Sequence, residues 1–499
     1  MKKMFRTMLC AALLAMAVSI PAFAAETEVP EKQGDFYVLV NDQYVTFTDA
    51  VPQIKDSRSC LPFVAVFEQL GFAEENMTWD NATKTVTATK DDTTISLTIG
   101  KTAITLSTGT EAAKEISTDV APYVDPATSR TYVPFGLVAD ALGYSVGWDA
   151  QQKAVIIDDV DAILAANTET YELMDQYMAY NKTFYEENQK VTGQYSMNMG
   201  VTSEAEGSSS DVSFDLTGDY EMLMANTTAF EMSTDMTMDM AMSLDGTDIT
   251  DMLQGEDGLQ LPLDISMELR GDMEDGIFYY QSAALEHLIQ GESDPSNTWY
   301  KLDLKAIFDQ MSSVTGMDYA TLLKLSAASM DQSFAETLDT MLRTLPLTSV
   351  DYTTTDYLTM LNAMLGDSAF EKSGSSYVNT LEQDGVKMAF TLTTSGSKVN
   401  GYSMEMTTAD PALAGMEMSI TASMKDNKMD MGMTMDMIID PGAGSATITF
   451  DFAMDGTYQS TSKSPVTEPP AGAQVVDIME MLSSAVGSAD SVPAPEADA

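Results

Sequence analysis

From about residue 191 onward, apolar and polar residues alternate with a period of two. Tyr195, Met197, Met199 and Val201 share one parity, as do Met236, Met238, Met240 and Met242. The pattern returns at Leu261 to Leu269, Val386 to Leu392, Tyr402 to Met406 and Met416 to Ile420. Its longest run is Met429, Met431, Met433, Met435, Met437 and Ile439, followed by Ile448 to Met454. The intervening positions are mostly Thr, Ser, Asp, Glu and Asn, which predicts antiparallel strands with one apolar and one wet face. Asp257-Gly258, Asp275-Gly276, Asp384-Gly385 and Asp455-Gly456 read as hairpin turns. Between these runs, residues 302–365 carry helical spacing through Leu304, Ile307, Phe308 and Met311, then Phe334, Leu338, Met341 and Leu342. The expected fold of residues 191–482 is α+β: a large Met-rich antiparallel half-barrel with helices on its apolar face.

The first part of the chain is built differently. Residues 25–190 contain three methionines and residues 191–499 contain 32, which marks a domain boundary. Within residues 34–158 one block occurs twice. Ser57-Arg58-Ser59-Cys60-Leu61-Pro62-Phe63 with Leu70-Gly71 returns 72 residues later as Ser129-Arg130-Thr131-Tyr132-Val133-Pro134-Phe135 with Leu142-Gly143. Each copy runs on to a Trp-Asp pair, Trp79-Asp80 and Trp148-Asp149. Each unit therefore reads as strand, proline at the strand-to-helix junction, short helix ended by glycine, then hairpin. The tryptophans are expected as core anchors, with a sugar-stacking platform as the alternative. Asp80 and Asp149 are expected to cap turns. Residues 159–190 predict a linker helix through Leu164, Tyr171, Met174, Tyr177 and Phe184, and residues 483–499 a disordered tail.

Residues 1–24 read as a secretory signal peptide: Lys2, Lys3 and Arg6, an apolar run, then Ala22-Phe23-Ala24. Its removal takes away three positive charges and no acid, so the formal charge of −51 becomes −54. The mature chain is expected to have no transmembrane segment and to be secreted and cell-envelope-associated. Such a charge excludes general nucleic-acid binding, which needs clustered cations. Cys60 is then the only cysteine, so no internal disulfide forms, and a buried thiol is the expectation. His287 is the only histidine, which removes His-rich metal centres.

The doubled block resembles the copper amine oxidase N-terminal-like domain, a stalk module of exported proteins in Gram-positive bacteria. Val38-Leu39-Val40-Asn41-Asp42 resembles the family's opening strand, with Asp42 where Gly is usual. Val64 and Gly136 stand where the family often has arginine. The resemblance implies a non-catalytic spacer. Oxidase chemistry belongs to another domain and needs three histidines and a tyrosine in an Asn-Tyr context, which this chain lacks. Phe278-Tyr279-Tyr280, Trp299-Tyr300-Lys301 and Pro469-Pro470 before an expected helix over Val475 to Leu482 resemble passages of LolA/LppX-like lipoprotein folds. That resemblance implies an unclosed barrel able to hold an acyl chain.

Three readings of the methionines stay open: packing of the sheet's own face, lining of a cavity for an apolar ligand, or Cu(I) binding by thioethers. The candidate apolar-ligand face is Met236, Met238, Met240, Met404, Met406, Met431, Met433 and Met435. No catalytic, cofactor-binding or metal residue is assigned, and no cofactor is expected. No G-x-S-x-G, P-loop or H-E-x-x-H motif occurs. The expected function is a non-catalytic stalk or adaptor protein whose second domain binds lipid or another apolar ligand, with a cell-envelope component as a further partner. The alternatives are a purely structural envelope protein, or a hydrolase using carboxylates such as Glu268 or Asp272 in the half-barrel.

Overall fold

The computed structural model describes residues 29–479 apart from short stretches, the longest being 253–260, 283–296, 324–331 and 410–415. The signal peptide, His287, the Asp257-Gly258 turn and the tail lie outside the described residues. The chain forms two compact units, each discontinuous: residues up to 170 with 332–363, and residues 171–331 with those from 364 on.

The first unit begins with β1 (Tyr37–Val40), β2 (Gln43–Tyr44), β3 (Gln53–Lys55), β4 (Arg58–Pro62) and α1 (Phe63–Gln69). There follow β5 (Met77–Asp80), β6 (Thr85–Lys90), β7 (Thr93–Thr98), β8 (Ala103–Thr108), β9 (Lys114–Ser117) and β10 (Tyr123–Val124). The second copy supplies β11 (Thr131–Pro134), α2 (Phe135–Ala141), β12 (Ser145–Asp149) and β13 (Ala154–Asp158), and α3 (Val160–Ala166) follows. The two copies of the repeated block pair with each other. β4 and β11 run antiparallel with Leu61 opposite Val133, flanked by Pro62–Tyr132 and Cys60–Pro134. A local two-fold therefore passes through equivalent residues, and both prolines end strands that lead directly into helices. Behind them Phe67 packs against Phe63, Phe72 and Phe135, all buried.

The tryptophans are not core anchors. Trp79 is 44% and Trp148 39% exposed, because β5 and β12 are edge strands of their sheets. The neighbouring aspartates do cap turns: Asp80 accepts the Ala82 N–H at 2.8 Å, and Asp149 accepts those of Gln151 and Gln152, each at 2.8 Å.

The second unit opens with α4 (Glu172–Lys182), so the helix expected over 159–190 is two helices. Asn167 supplies part of the reason, since its side chain accepts the Glu169 N–H and offers the backbone an Asx turn instead of a helical bond. The sheet strands are β14 (Gln189–Ala205), β15 (Ser208–Ala225), β16 (Ala229–Leu244), β17 (Thr247–Asp248), β18 (Leu263–Asp272), β19 (Ile277–Gln281) and β20 (Thr298–Asp303). After α5 (Leu304–Thr315), the chain forms α6 (Phe334–Thr344) and α7 (Thr354–Leu365), grouped for residues 332–363 with the first unit. It then completes the sheet with β21 (Glu371–Ser373), β22 (Ser376–Gln383), β23 (Val386–Ser395), β24 (Lys398–Ala409), β25 (Met416–Lys425), β26 (Lys428–Ile439), β27 (Ser445–Ser460) and β28 (Gln474–Asp477).

The order is β21-β22-β23-β24-β25-β26-β27-β14-β15-β16-β18-β19-β20-β28, with β17 on β16, and only the β20–β28 pair is parallel. The fold class is α+β, with a large antiparallel half-barrel sheet. Val475 and Val476 lie in β28 rather than in the expected helix, opposite Trp299 and Tyr300. Two adjacent β-branched residues suit a strand, and their backbone satisfies the edge of β20. Asp455-Gly456 is no turn but the interior of β27. A Cβ on Gly456 would stand 2.6 Å from the Tyr220 hydroxyl, so the glycine answers a close approach rather than a bend.

Helix α4 lies on the apolar face of the sheet at one end. Asp367 accepts the Glu172 and Leu173 N–H groups at 2.8 Å each, capping the helix from far along the chain. Tyr177 packs edge-on against Tyr402 and Phe390, at 4.9 and 5.7 Å between ring centres, and Phe184 packs on Tyr458.

Candidate functional site

Strand register turns the alternating methionines into rows that cross the sheet. The first row runs Ile265, Met236, Gly218, Tyr195, Met454, Met431, Ala422, Met404 and Phe390, each directly opposite the next. The second runs Leu263, Met238, Leu216, Met197, Phe452, Met433, Ile420, Met406 and Met388. The third includes Met240, Phe214, Met199, Phe450, Met435 and Met418. All eight candidate methionines thus fall on three adjacent rows of one face.

Burial along this face is graded. Next to α4, Val191, Tyr220, Leu392, Met424 and Met429 are buried, as are Met236, Ile265 and Met454 in the first row. Met238, Met406, Met433, Met240 and Met435 are half-buried. At the far margin Met199 is 41%, Ile439 44% and Leu244 46% exposed. The face is sealed at one end and open at the other.

A cavity lies elsewhere, a groove of about 1040 Å³. Each of eight strands gives it three consecutive residues, such as Thr217-Gly218-Asp219 and Asp430-Met431-Gly432. In a pleated strand, residues i−1 and i+1 share a face that residue i does not. Both polar flanks line the groove, and neither neighbouring Met row does, so it opens on the polar face. Met236, Met404 and Met431 contribute only to its floor. The expectation of a cavity lined by the methionine face is therefore not what the sheet forms; the other five candidate methionines do not line it.

Two registered polar rows wall this groove. One contains Asp430, Asp455, Gln194, Asp219, Asp235 and Ser266; the other Glu405, Thr421, Ser196, Thr217, Thr237 and Asp264. Asp219 faces Asp235 and Asp430 faces Asp455 across neighbouring strands. Hydrogen bonds from Gln194 to Asp219 (2.8 Å), Ser266 to Asp235 (2.6 Å) and Thr237 to Asp264 (2.8 Å) orient the carboxylates. Among the described residues no Lys, Arg or His lines the groove. Like charges directly opposite one another repel, and a cationic ligand relieves that repulsion.

The two carboxylates weighed for hydrolysis are engaged outside the groove. Glu268 pairs with Arg270 at 2.9 Å, and Asp272 accepts the Glu274 N–H in a turn. Among the described residues no three His, Cys, Asp or Glu side chains form a group able to hold a metal ion. Cys60 is buried, and burial pushes its thiol up from the ordinary range. One acidic pair missed by sequence reasoning lies in the first unit. Burial pushes Asp158 up to about 6, and raises Asp42 as well. The available signal was Asp42, an acid at a turn position where glycine is usual.

The family model of the copper amine oxidase N-terminal domain matches residues 39–157 and, in an overlapping second match, 110–191. The matched domain is a non-catalytic module. Among curated proteins nothing matches. Among solved structures, a lipovitellin structure described in terms of lipid–protein interactions aligns at 10% identity and TM-score 0.22, covering 57% of this chain and 26% of that one. OprB of Pseudomonas putida aligns at 4% identity and TM-score 0.10, covering 59% of this chain and 100% of that one. OccK5 of Pseudomonas aeruginosa aligns at 6% identity and TM-score 0.10, covering 56% and 99%. Likenesses at these scores carry no argument about this chain.

Proposed function

We propose that this is an exported, cell-envelope-associated binding protein without catalytic activity, whose Met-rich sheet takes up a lipid acyl chain or a similar apolar ligand. The observation that carries the reading is the graded methionine face. A sheet that served only as its own core would be covered along its whole length. Here three registered rows pass from buried to half-buried, and the far margin of the face is exposed. Methionine suits such a face, because an unbranched thioether repacks around ligands of different shape. The signal peptide read in residues 1–24 and the stalk-type module support display outside the cell.

The test is native mass spectrometry of the mature chain followed by lipid extraction. Co-purifying lipid, lost on Met433→Asp with Met435→Asp while far-ultraviolet circular dichroism is retained, supports the reading. An apo mass that takes up neither lipid nor hydrophobic dye leaves the structural alternative.

The polar groove favours a second reading for the opposite face. Neighbouring strands lie about 4.8 Å apart and same-face rows about 7 Å apart, so eight strands make a trough about 34 Å long. Its six carboxylates and missing cations suit an extended, lysine- or arginine-rich chain lying across the strands.

A further inference from the structure

Asp158 ends β13 and is 2% exposed. Its Oδ2 accepts the Thr354 hydroxyl at the start of α7, while its Oδ1 is buried with no hydrogen-bond partner. Asp42 sits in the left-handed turn between β1 and β2, at φ +65°, and its Oδ1 is also buried without a partner. The turn is brought to the end of β13 by Asn41, whose side chain accepts the Asp159 N–H at 2.7 Å. The Thr353 and Thr355 side chains stand beside Asp42 and act against the rise that burial causes there, so three successive threonines face two carboxyl groups. The charges acting on the pair are all of one sign: each aspartate's own and that of Asp356 on α7, which is itself held by the Thr353 N–H and hydroxyl. Among the described residues no cation acts on the pair.

An orphaned, desolvated carboxylate oxygen is costly, and two that repel one another are worse. A proton on one orphan oxygen removes a charge and supplies a donor. We infer that Asp42 and Asp158 form a proton-operated clasp, which holds the start of α7 against the β1–β2 turn and β13 when the pair carries a proton and releases it when both acids ionise.

The sign follows from linkage. The clasped Asp158 binds its proton more tightly than a free carboxyl, with a pKa of about 6 against 3.8. The clasp is therefore strongest near or below pH 4, weakens as pH rises through about 6, and is constant above. That difference corresponds to an opening equilibrium up to about 100-fold larger at pH 7.5 than at pH 4.

Hydrogen exchange of the full mature chain tests this, with rates corrected for intrinsic pH dependence. Amides of residues 354–363 are expected to lose at least about tenfold in protection between pH 5 and pH 7.5. Asp158→Asn keeps the shape, cannot ionise and offers an N–H to Asp42, so protection should stay high and independent of pH. Asp42→Asn removes the neighbouring charge and offers an N–H to Asp158, so the pH dependence should shrink while the part due to burial of Asp158 remains; this variant serves if Asp158→Asn misfolds. Equal wild-type protection at the two pH values overturns the clasp, as does a pH dependence that both substitutions leave undiminished. Calcium that restores protection at pH 7.5 in the wild type alone overturns the proton as its occupant.

Discussion

Some backbone pairs in the sheet leave no room for a side chain. A Cβ on Gly193 would stand 2.0 Å from the Asp455 carbonyl oxygen and 2.8 Å from its carbon, so β14 and β27 cannot stay paired there with any side chain present. Gly193→Ala should destabilise the second unit by about 3 kcal/mol or more, since backbone cannot move aside as a side chain can. Gly136 in α2 has open space where a methyl would stand, with nothing within 4 Å, and Gly136→Ala should stabilise by about 0.5–1 kcal/mol. Chemical denaturation followed by unit-specific probes distinguishes the two signs. Neither effect is legible in the sequence, where both are single glycines inside regular elements. The tryptophans show the same gap: Trp79 and Trp148 read as core by residue type, and only their place on edge strands exposes them. Asp42 was visible as an acid in a glycine position, but its partner Asp158 was not, because the two lie 116 positions apart.

At the scale of elements, period-two patterning identified the long strands, and register alone then determines what each face presents. Sequence could show that Asp219 and Asp235 are both polar-face residues. That they stand opposite each other follows from the β15–β16 pairing. The consequence is testable in the groove. A lysine-rich peptide of about ten residues should bind with an affinity that falls steeply with salt, because the interaction is exposed to screening. Asp219→Asn with Asp430→Asn should weaken binding by an order of magnitude, while the unfolding temperature at low salt stays level or rises as facing charges are removed. Binding unchanged by these substitutions, or insensitive to salt, would remove the groove from the account. Element type failed at Val475 and Val476, where a parallel edge partner made a strand of an expected helix.

For the molecule as a whole, neither the repeat nor the methionine boundary made the grouping of residues 332–363 with the first unit legible. An amphipathic helix declares that one face is buried without saying against what. Within the first unit this segment is held by Arg343 to Asp161 and to the Gly143 carbonyl (3.1 Å), by the Val350 N–H to Asp149 (3.0 Å), and by Asn362 to Asn167 (2.9 Å). A fragment of residues 29–170 should consequently melt several degrees lower alone than with a peptide of residues 332–363 added, each buried Leu or Met contributing about 1.5–3 kcal/mol. Scanning calorimetry of the fragment with and without peptide checks this. In the second unit, ¹³C-methyl NMR of the methionines reads ligand uptake by the sheet residue by residue. On adding a fatty acid, the ε-methyls of Met238, Met240, Met406, Met433 and Met435 should shift or broaden together and saturate, while Met77 in the first unit stays fixed. Unmoved methyls in the half-open rows, at acid concentrations that saturate other lipid carriers, would contradict the binding account.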